Sequence, residues 1–314
     1  MTVPPPESIA LAPMQGVTDH VYRELFTRRA PRLGFTVTEF LRVTDHPLSR
    51  EVLLRSCPEL ARGGITRAGV PVSVQLLGSD PWALGASALA AVRAGARAID
   101  LNFGCPARLV NLHDGGASLL RTPERLERAI AAVRAAVPAE IPVSAKIRLG
   151  WDSREGVADL ARAVERGGAG LLTVHGRTRA ELYGPPADHV AVGRAREAVA
   201  IPVIANGDLG PPGSFERCRA ASGCDRFMVG RGAMACPSAV LGTRAADDAR
   251  TVRELIEEYQ ELLVAAGATE SRAIGRTKQW LGLAVRVEPT LVPLFDAMKR
   301  ATSLVGARAL LRAA

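Results

Sequence analysis

Eight short apolar segments, each followed by a stretch of helical character, recur along the first three quarters of the chain. They span residues 9–14, 35–40, 72–77, 98–103, 143–149, 171–175, 203–206 and 227–229. Between them, 81–94 opens after Ser79-Asp80, 123–137 follows Thr122 as N-cap, and 153–166 follows Trp151-Asp152. Gly95, Gly167-Gly168 and Gly223 stand where such helices should stop. Eight strand–helix units in series predict an α/β fold, a closed (β/α)8 TIM barrel. A doubly wound sheet is the alternative, but no GxGxxG follows the first strand.

Near Pro237 the alternation ends. The stretch 247–267 reads as an amphipathic helix through Val252, Leu255, Ile256, Tyr259, Leu262 and Leu263. Helical stretches at 272–285, 290–300 and 303–312 follow. The expected organisation is a catalytic barrel over residues 1–244 and a small all-helical domain over 245–314. At 314 residues, 47% of them hydrophobic, the chain can bury a sizeable core. No apolar run approaches the roughly 18 residues that span a bilayer, and residues 1–8 lack the basic-then-apolar pattern of a signal peptide. Five cysteines with no CxxC spacing point to free thiols in a reducing compartment, the cytoplasm, with no metal site. Cys57, Cys218, Cys224 and Cys236 read as structural.

Charge is unevenly placed. The net charge is +8, and residues 271–314 alone carry +6: Arg272, Arg276, Lys278, Arg286, Lys299, Arg300, Arg308 and Arg312 against Glu288 and Asp296. A near-neutral body with a basic end suggests a polyanionic partner at that end, the alternative being an ordinary solvated helix surface. Only three of the 40 basic residues are lysine, Lys146 among them, so positions that keep lysine point to a need for a compact ammonium.

In a (β/α)8 barrel the site lies at the C-terminal ends of the strands. Those ends read Pro13-Met14-Gln15, Glu39, Gln75, Asn102 with Cys105, Lys146 with Arg148, His175, Asn206-Gly207-Asp208 and Gly230-Arg231-Gly232. Nearly all are polar above apolar strand bodies. Strand parity puts Lys146 and Arg148 on one face with Ser144, and His175 with Thr173 and Arg177. The stretch 98–106 reads as a buried strand that stops at Gly104 and Pro106 and delivers Asn102 and the Cys105 thiol into one loop. The glycine loops after the seventh and eighth strands suit a phosphate, with Arg231 as a cation beside them.

These segments, taken in order, resemble the tRNA-dihydrouridine synthases: Leu11-Ala12-Pro13-Met14-Gln15-Gly16-Val17-Thr18-Asp19, Val74-Gln75-Leu76-Leu77-Gly78, Asp100-Leu101-Asn102-Phe103-Gly104-Cys105-Pro106, Lys146-Ile147-Arg148, Val174-His175-Gly176-Arg177-Thr178, Ile204-Ala205-Asn206-Gly207-Asp208 and Gly230-Arg231-Gly232. Arg276-Thr277-Lys278-Gln279-Trp280-Leu281 and Thr38-Glu39-Phe40-Leu41-Arg42-Val43 are similar to the C-type bacterial branch. The resemblance implies an FMN enzyme, reduced by NADPH, that passes a hydride to C6 of a D-loop uracil in tRNA. The branch suggests position 16. It implies that Pro13, Met14 and Gln15 line the flavin, that Gln75 and Lys146 meet its polar edge, and that His175 lies near its ribityl chain or phosphate. Asn206, Gly207, Asp208, Gly230 and Arg231 would hold the phosphate end; Asn102 and Arg148 would grip the uracil; Cys105 would protonate C5.

The residue types suit that chemistry. A cation such as Arg148 stabilises the enolate-like charge that hydride addition builds, and a thiol has a proton to give near neutral pH. A base within stacked RNA must be turned out into the pocket, hence a second, basic domain. Arg272, Arg276 and Gln279 share a helix face suited to phosphates. Lys278 and Lys299 are further candidate tRNA contacts, Trp280 reads as buried, and Arg42 could meet the substrate nucleotide. A monomer is expected. The loop 107–114 and the two-proline loop 183–188 depart from the family pattern. Two other readings are a flavin dehydrogenase of a small dihydropyrimidine and a non-catalytic RNA-binding barrel; the basic C-terminus argues against the first and the intact set of strand ends against the second.

Overall fold

The computed structural model describes residues 5–30, 32–184 and 186–313. Nine parallel strands form one sheet: β1 (Ile9–Leu11), β2 (Leu33–Val37), β3 (Leu41–Arg42), β4 (Val72–Leu77), β5 (Ile99–Phe103), β6 (Val143–Arg148), β7 (Leu171–His175), β8 (Val203–Asn206) and β9 (Phe227–Val229). β1 pairs with both β2 and β9, and β2 with β4, so eight of them close a ring. This is the expected barrel.

Two strand expectations differ from the structure. The second segment is interrupted: β2 meets the start of β4 through Thr36↔Val72, whereas the two-residue β3 meets its end through Leu41↔Leu76. Thr38 marks the break, and its hydroxyl accepts from Gln75 N at 2.9 Å. The first strand stops at Leu11, because Pro13 has no N–H to continue the ladder. Among the helices, the expected 153–166 begins only at Val157. Residues 150–153 fold back so tightly that a Cβ on Gly150 would stand 2.0 Å from Ser153 O. Thr122 does precede the helix Pro123–Ala136, but its hydroxyl makes no capping bond.

Alternation along β5 and β6 explains the layering. Ile99, Leu101, Phe103, Val143, Ala145 and Ile147 are all buried in the shell between strands and helices. The opposite parity, Asp100, Asn102, Ser144, Lys146 and Arg148, belongs to the barrel interior. A smaller apolar cluster of Ala10, Ala12, Phe35, Val37, Leu171, Ile204 and Met228 fills its lower part.

The chain after the barrel forms helices Asp248–Ala265, Glu270–Ala284, Val292–Lys299 and Leu304–Arg312, matching the expected four. They share a core with the barrel. Trp280 is 1% exposed, donates Nε1–H to Met234 O at 3.0 Å, and packs against Phe26 (centroids 5.8 Å), Tyr22 (5.4 Å) and Tyr259 (5.5 Å). No helix among the described residues is long and apolar enough to cross a membrane.

Candidate active site

Ladder register brings the polar strand ends together. Asn102 stands beside Lys146 across β5–β6, Arg148 beside His175 across β6–β7, and His175 beside Asn206 across β7–β8. Parallel strands in register place side chains of equal parity side by side, so residues far apart in sequence line one cavity of about 760 Å³ at the barrel mouth. Its wall includes Pro13, Met14 and Gln15 on one side. Asn102, Cys105, Lys146, Arg148 and His175 line it together with the phosphate-loop candidates Asn206, Gly207, Asp208, Gly230 and Arg231.

Lys146 Nζ donates to Asn206 Oδ1 at 3.0 Å, and Asn206 Nδ2 donates to Met228 O at 2.7 Å. Burial, reinforced by Arg148, pushes the Lys146 ammonium down to about 7. His175 is held neutral: burial first, then Lys146, Arg148, Arg177 and Arg231, lower its pKa well below the usual imidazole range. His175 Nδ1 is buried without a partner among the described residues. An unpaired polar atom lining a cavity awaits a ligand or water.

Arg148 is almost entirely spent on backbone. Nε donates to Gly104 O at 2.8 Å, and Nη1 to Thr178 O at 2.9 Å and Leu182 O at 2.6 Å. It ties the Cys105 loop to the loop after β7. Asp208 is likewise engaged: its carboxylate accepts from Arg177 Nη2 at 2.7 Å and from Ala187 N at 2.8 Å. The backbone at Gly207 and Asp208, both at positive φ (122° and 50°), shapes that end of the cavity.

The Cys105 thiol is half-buried, and burial raises its pKa. It therefore carries its proton at neutral pH, as an acid must. Its loop is held at the backbone, Cys105 O accepting from Asn111 Nδ2 at 2.9 Å and Ala117 N at 3.2 Å. Gly116 has φ +58°, and a Cβ there would meet Cys105 O at 3.0 Å and Cys105 Cβ at 3.1 Å. The glycine run thus allows close packing beneath the thiol. Cys57, Cys218, Cys224 and Cys236 are buried away from the cavity.

Four expectations change. Gln75 does not line the cavity; it is fully buried and braces Asn102 and Asp100. Arg276, expected on an RNA-facing surface, is a tie between helices and barrel. It donates to Asp19 at 3.1 Å, to Tyr259 Oη, and to the carbonyls of Gly16 and Val17. Helical spacing defined its face correctly, but that face meets the loop after β1. Gln279 accepts from Arg276 at 2.6 Å. Lys278 donates to Lys299 O at 3.0 Å and Ala301 O at 2.8 Å, so it closes a helix end. Arg42, Arg272, Lys299 and Arg300 are exposed, Lys299 beside Asp296 at 2.7 Å.

The structure also adds residues. Tyr183 lines the cavity with its ring 5.2 Å from the Arg148 guanidinium and 5.3 Å from that of Arg231. Its neighbour Pro185 lies outside the described residues. Leu283, Arg286 and Val287 reach the same cavity from the helical region. Only loop placement and domain packing bring them there; the aromatic in an otherwise small loop was the available signal for Tyr183. The loop 107–114 contains a short helix, Arg108–Leu112, with Leu109 and Leu112 exposed.

The model of the dihydrouridine synthase family matches residues 10–284. A tRNA-dihydrouridine(16) synthase of Pseudomonas putida is 44% identical over 299 residues, covering 93% of this chain and 92% of its own. Proteins of the same name from Cupriavidus necator (44%, covering 92% of each chain) and Neisseria meningitidis serogroup B (40%, covering 93% and 90%) are similar over comparable lengths. Among solved structures, histamine dehydrogenase from Rhizobium sp. 4-9 superimposes with a TM-score of 0.56 at 14% identity, covering 81% of this chain and 48% of that one. That likeness shows the fold alone.

Proposed function

This chain belongs to the dihydrouridine synthase family, and on that premise we propose that it reduces the C5=C6 bond of a D-loop uridine in tRNA, at position 16, to 5,6-dihydrouridine. The observation that carries the reading is the convergence of Cys105, Asn102, Lys146, Arg148 and His175 on one cavity. The relatives' names suggest the substrate and its position.

FMN, reduced by NADPH, would supply the hydride when bound. The residues present fit such a group. The cavity has the volume of a cofactor site, and His175 Nδ1 waits in it unpaired. Pro13, Met14 and Gln15 would line the flavin. Lys146 and His175 would contact it. Gly207, Gly230 and Arg231 would hold its phosphate, with Asn206 orienting Lys146 and Asp208 orienting Arg177. Gln75 acts from behind Asn102.

Asn102 and Arg148 would orient the uracil, and the guanidinium stabilises negative charge as it develops on the base. Cys105 holds a proton at Sγ through the same stage and delivers it to C5. Its raised pKa favours this role over attack as a thiolate. Tyr183 and Arg286 stand at the mouth, where the substrate nucleotide would enter.

RNA docking falls to the helical region after residue 245, whose exposed cations are Arg272, Lys299 and Arg300, together with Arg42 of the barrel rim. The protein works in the cytoplasm as a monomer. Mapping dihydrouridine in tRNA from cells with and without this protein tests the reading: loss at position 16 alone is expected, and an unchanged map would refute it.

A further inference from the structure

Asp100 has no task in the reaction just described, yet it is a buried carboxylate inside the barrel, next in sequence but one before Asn102. Its Oδ2 accepts from Gln75 Nε2 at 2.6 Å and its Oδ1 from Ser144 Oγ at 2.5 Å. Gln75 Oε1 accepts from Asn102 Nδ2 at 2.8 Å. Asn102 Oδ1 accepts from Gly104 N at 3.0 Å.

Neither end of this series can be reversed. A backbone N–H only donates, and both Asp100 oxygens are already accepting, Oδ2 from Gln75 and Oδ1 from Ser144. Turning the Asn102 amide over would set its NH2 against the N–H of Gly104. Turning Gln75 over would set its carbonyl against Asp100. Either change leaves buried polar groups unpaired, which is the costly outcome. We propose that Asp100, acting through Gln75, is a positioning residue that locks the Asn102 amide in one orientation, so that the site reads the uracil edge and rejects the cytosine edge.

The chemistry of the two bases shows why orientation matters. Uracil presents an N3–H donor flanked by two carbonyl acceptors. Cytosine presents an N3 acceptor beside an N4 amino donor. An amide free to turn over matches either base by exchanging its oxygen and nitrogen. A locked amide, with one N–H and one lone pair left in fixed order, matches only one. A site built to pair such groups strongly rejects the analogue that leaves them unpaired. The inference rests on the reading of Asn102 as a uracil contact.

The test uses holoenzyme with its flavin reduced beforehand and tRNA transcripts carrying uridine or cytidine at the target position. Asp100→Leu removes the acceptor; Asp100→Asn keeps one, because its Oδ1 can still face Gln75. In Asp100→Leu, single-turnover reduction at saturating tRNA falls about tenfold or more, the equivalent of one hydrogen-bonded lock. Flavin content and the rate of flavin reduction by NADPH stay at wild-type values. The perturbation of flavin absorbance on binding becomes alike for the uridine and cytidine transcripts. Asp100→Asn restores both the rate, to within about threefold, and the preference for uridine. Should Asp100→Leu fail to fold, Gln75→Met carries the same expectations, since it cuts the series one step later.

Wild-type rate and preference in Asp100→Leu or Gln75→Met, with Asn102→Ala slow, would overturn the lock while leaving the uracil contact standing. Wild-type turnover in Asn102→Ala would instead remove the contact on which it rests. A loss in Asp100→Asn equal to that in Asp100→Leu would assign the effect to lost charge and also overturn the lock.

Discussion

The barrel mouth and the C-terminal helices are both rich in cations, and burial gives the two sets different work. Lys146, Arg148 and Arg231 line the cavity at the barrel mouth, where burial lowers the pKa of each. Arg272, Lys299 and Arg300 sit in solvent, where charges keep their water and are screened by salt. Between the two sets lie Arg276 and Lys278, whose donors are committed to oxygens within the protein. Counting charges along the chain therefore overstates the number of cations left in solvent. The same residue type lines a cavity, ties backbone or meets water according to what surrounds it.

That contrast can be broken at several points. The largest effect is expected at the mouth. Cys105→Ala should slow dihydrouridine formation about 10²–10⁴-fold in single turnover, the usual range for loss of a general acid, while NADPH still reduces the flavin at the wild-type rate. Equal product formation would remove the thiol from the mechanism. Because burial raises the thiol pKa, the wild-type rate should hold through neutral pH and decline only on the alkaline side.

Next comes the shared core. Trp280→Ala should lower stability by about 3–5 kcal/mol, as for other large buried aromatics. Denaturant melts that showed the helices unfolding separately, with the barrel untouched, would contradict a common core.

Lys146 gives a smaller effect with a definite pH sign. Its ammonium titrates near 7 in the folded protein, below the ordinary lysine value of 10.5. The unfolded chain thus binds the proton more tightly, and stability rises as pH climbs from about 7 toward the ordinary value. Lys146→Met removes that term. The apoprotein variant should be more stable than wild type by a few kcal/mol below pH 7, the order set by about 1.4 kcal/mol per pKa unit. The advantage should shrink to nothing as pH approaches the unfolded lysine's range; a pH-independent difference would refute the buried ammonium.

The smallest effect lies on the exposed helices. Arg272→Ala should weaken tRNA binding by less than about tenfold and reduce the salt slope by about one. Binding measured across salt concentrations checks it, and an unchanged slope would move the RNA surface elsewhere.

Much of the site was legible because period-2 alternation and strand ends are local properties. Alternation along their strands places Asn102, Lys146, Arg148 and His175 on the polar faces, and the ladder sets them side by side. Gln75 shows the limit: parity put it inside the barrel, but only its bonds to Asp100 and Asn102 show that it stands behind the cavity. Tyr183 and Arg286 were hidden because their approach depends on a loop path and on helix packing.

The alternation of strands and helices, the polarity of the strand ends and the order of the family motifs were determined by the sequence alone, since each depends on residues adjacent or a few positions apart. Which cation is buried, which is bonded and which meets solvent was decided by tertiary structure. Arg276 makes the reason plain: its helix face is set by 3.6-residue periodicity, but whether that face meets Asp19 or a phosphate depends on packing between segments 257 residues apart.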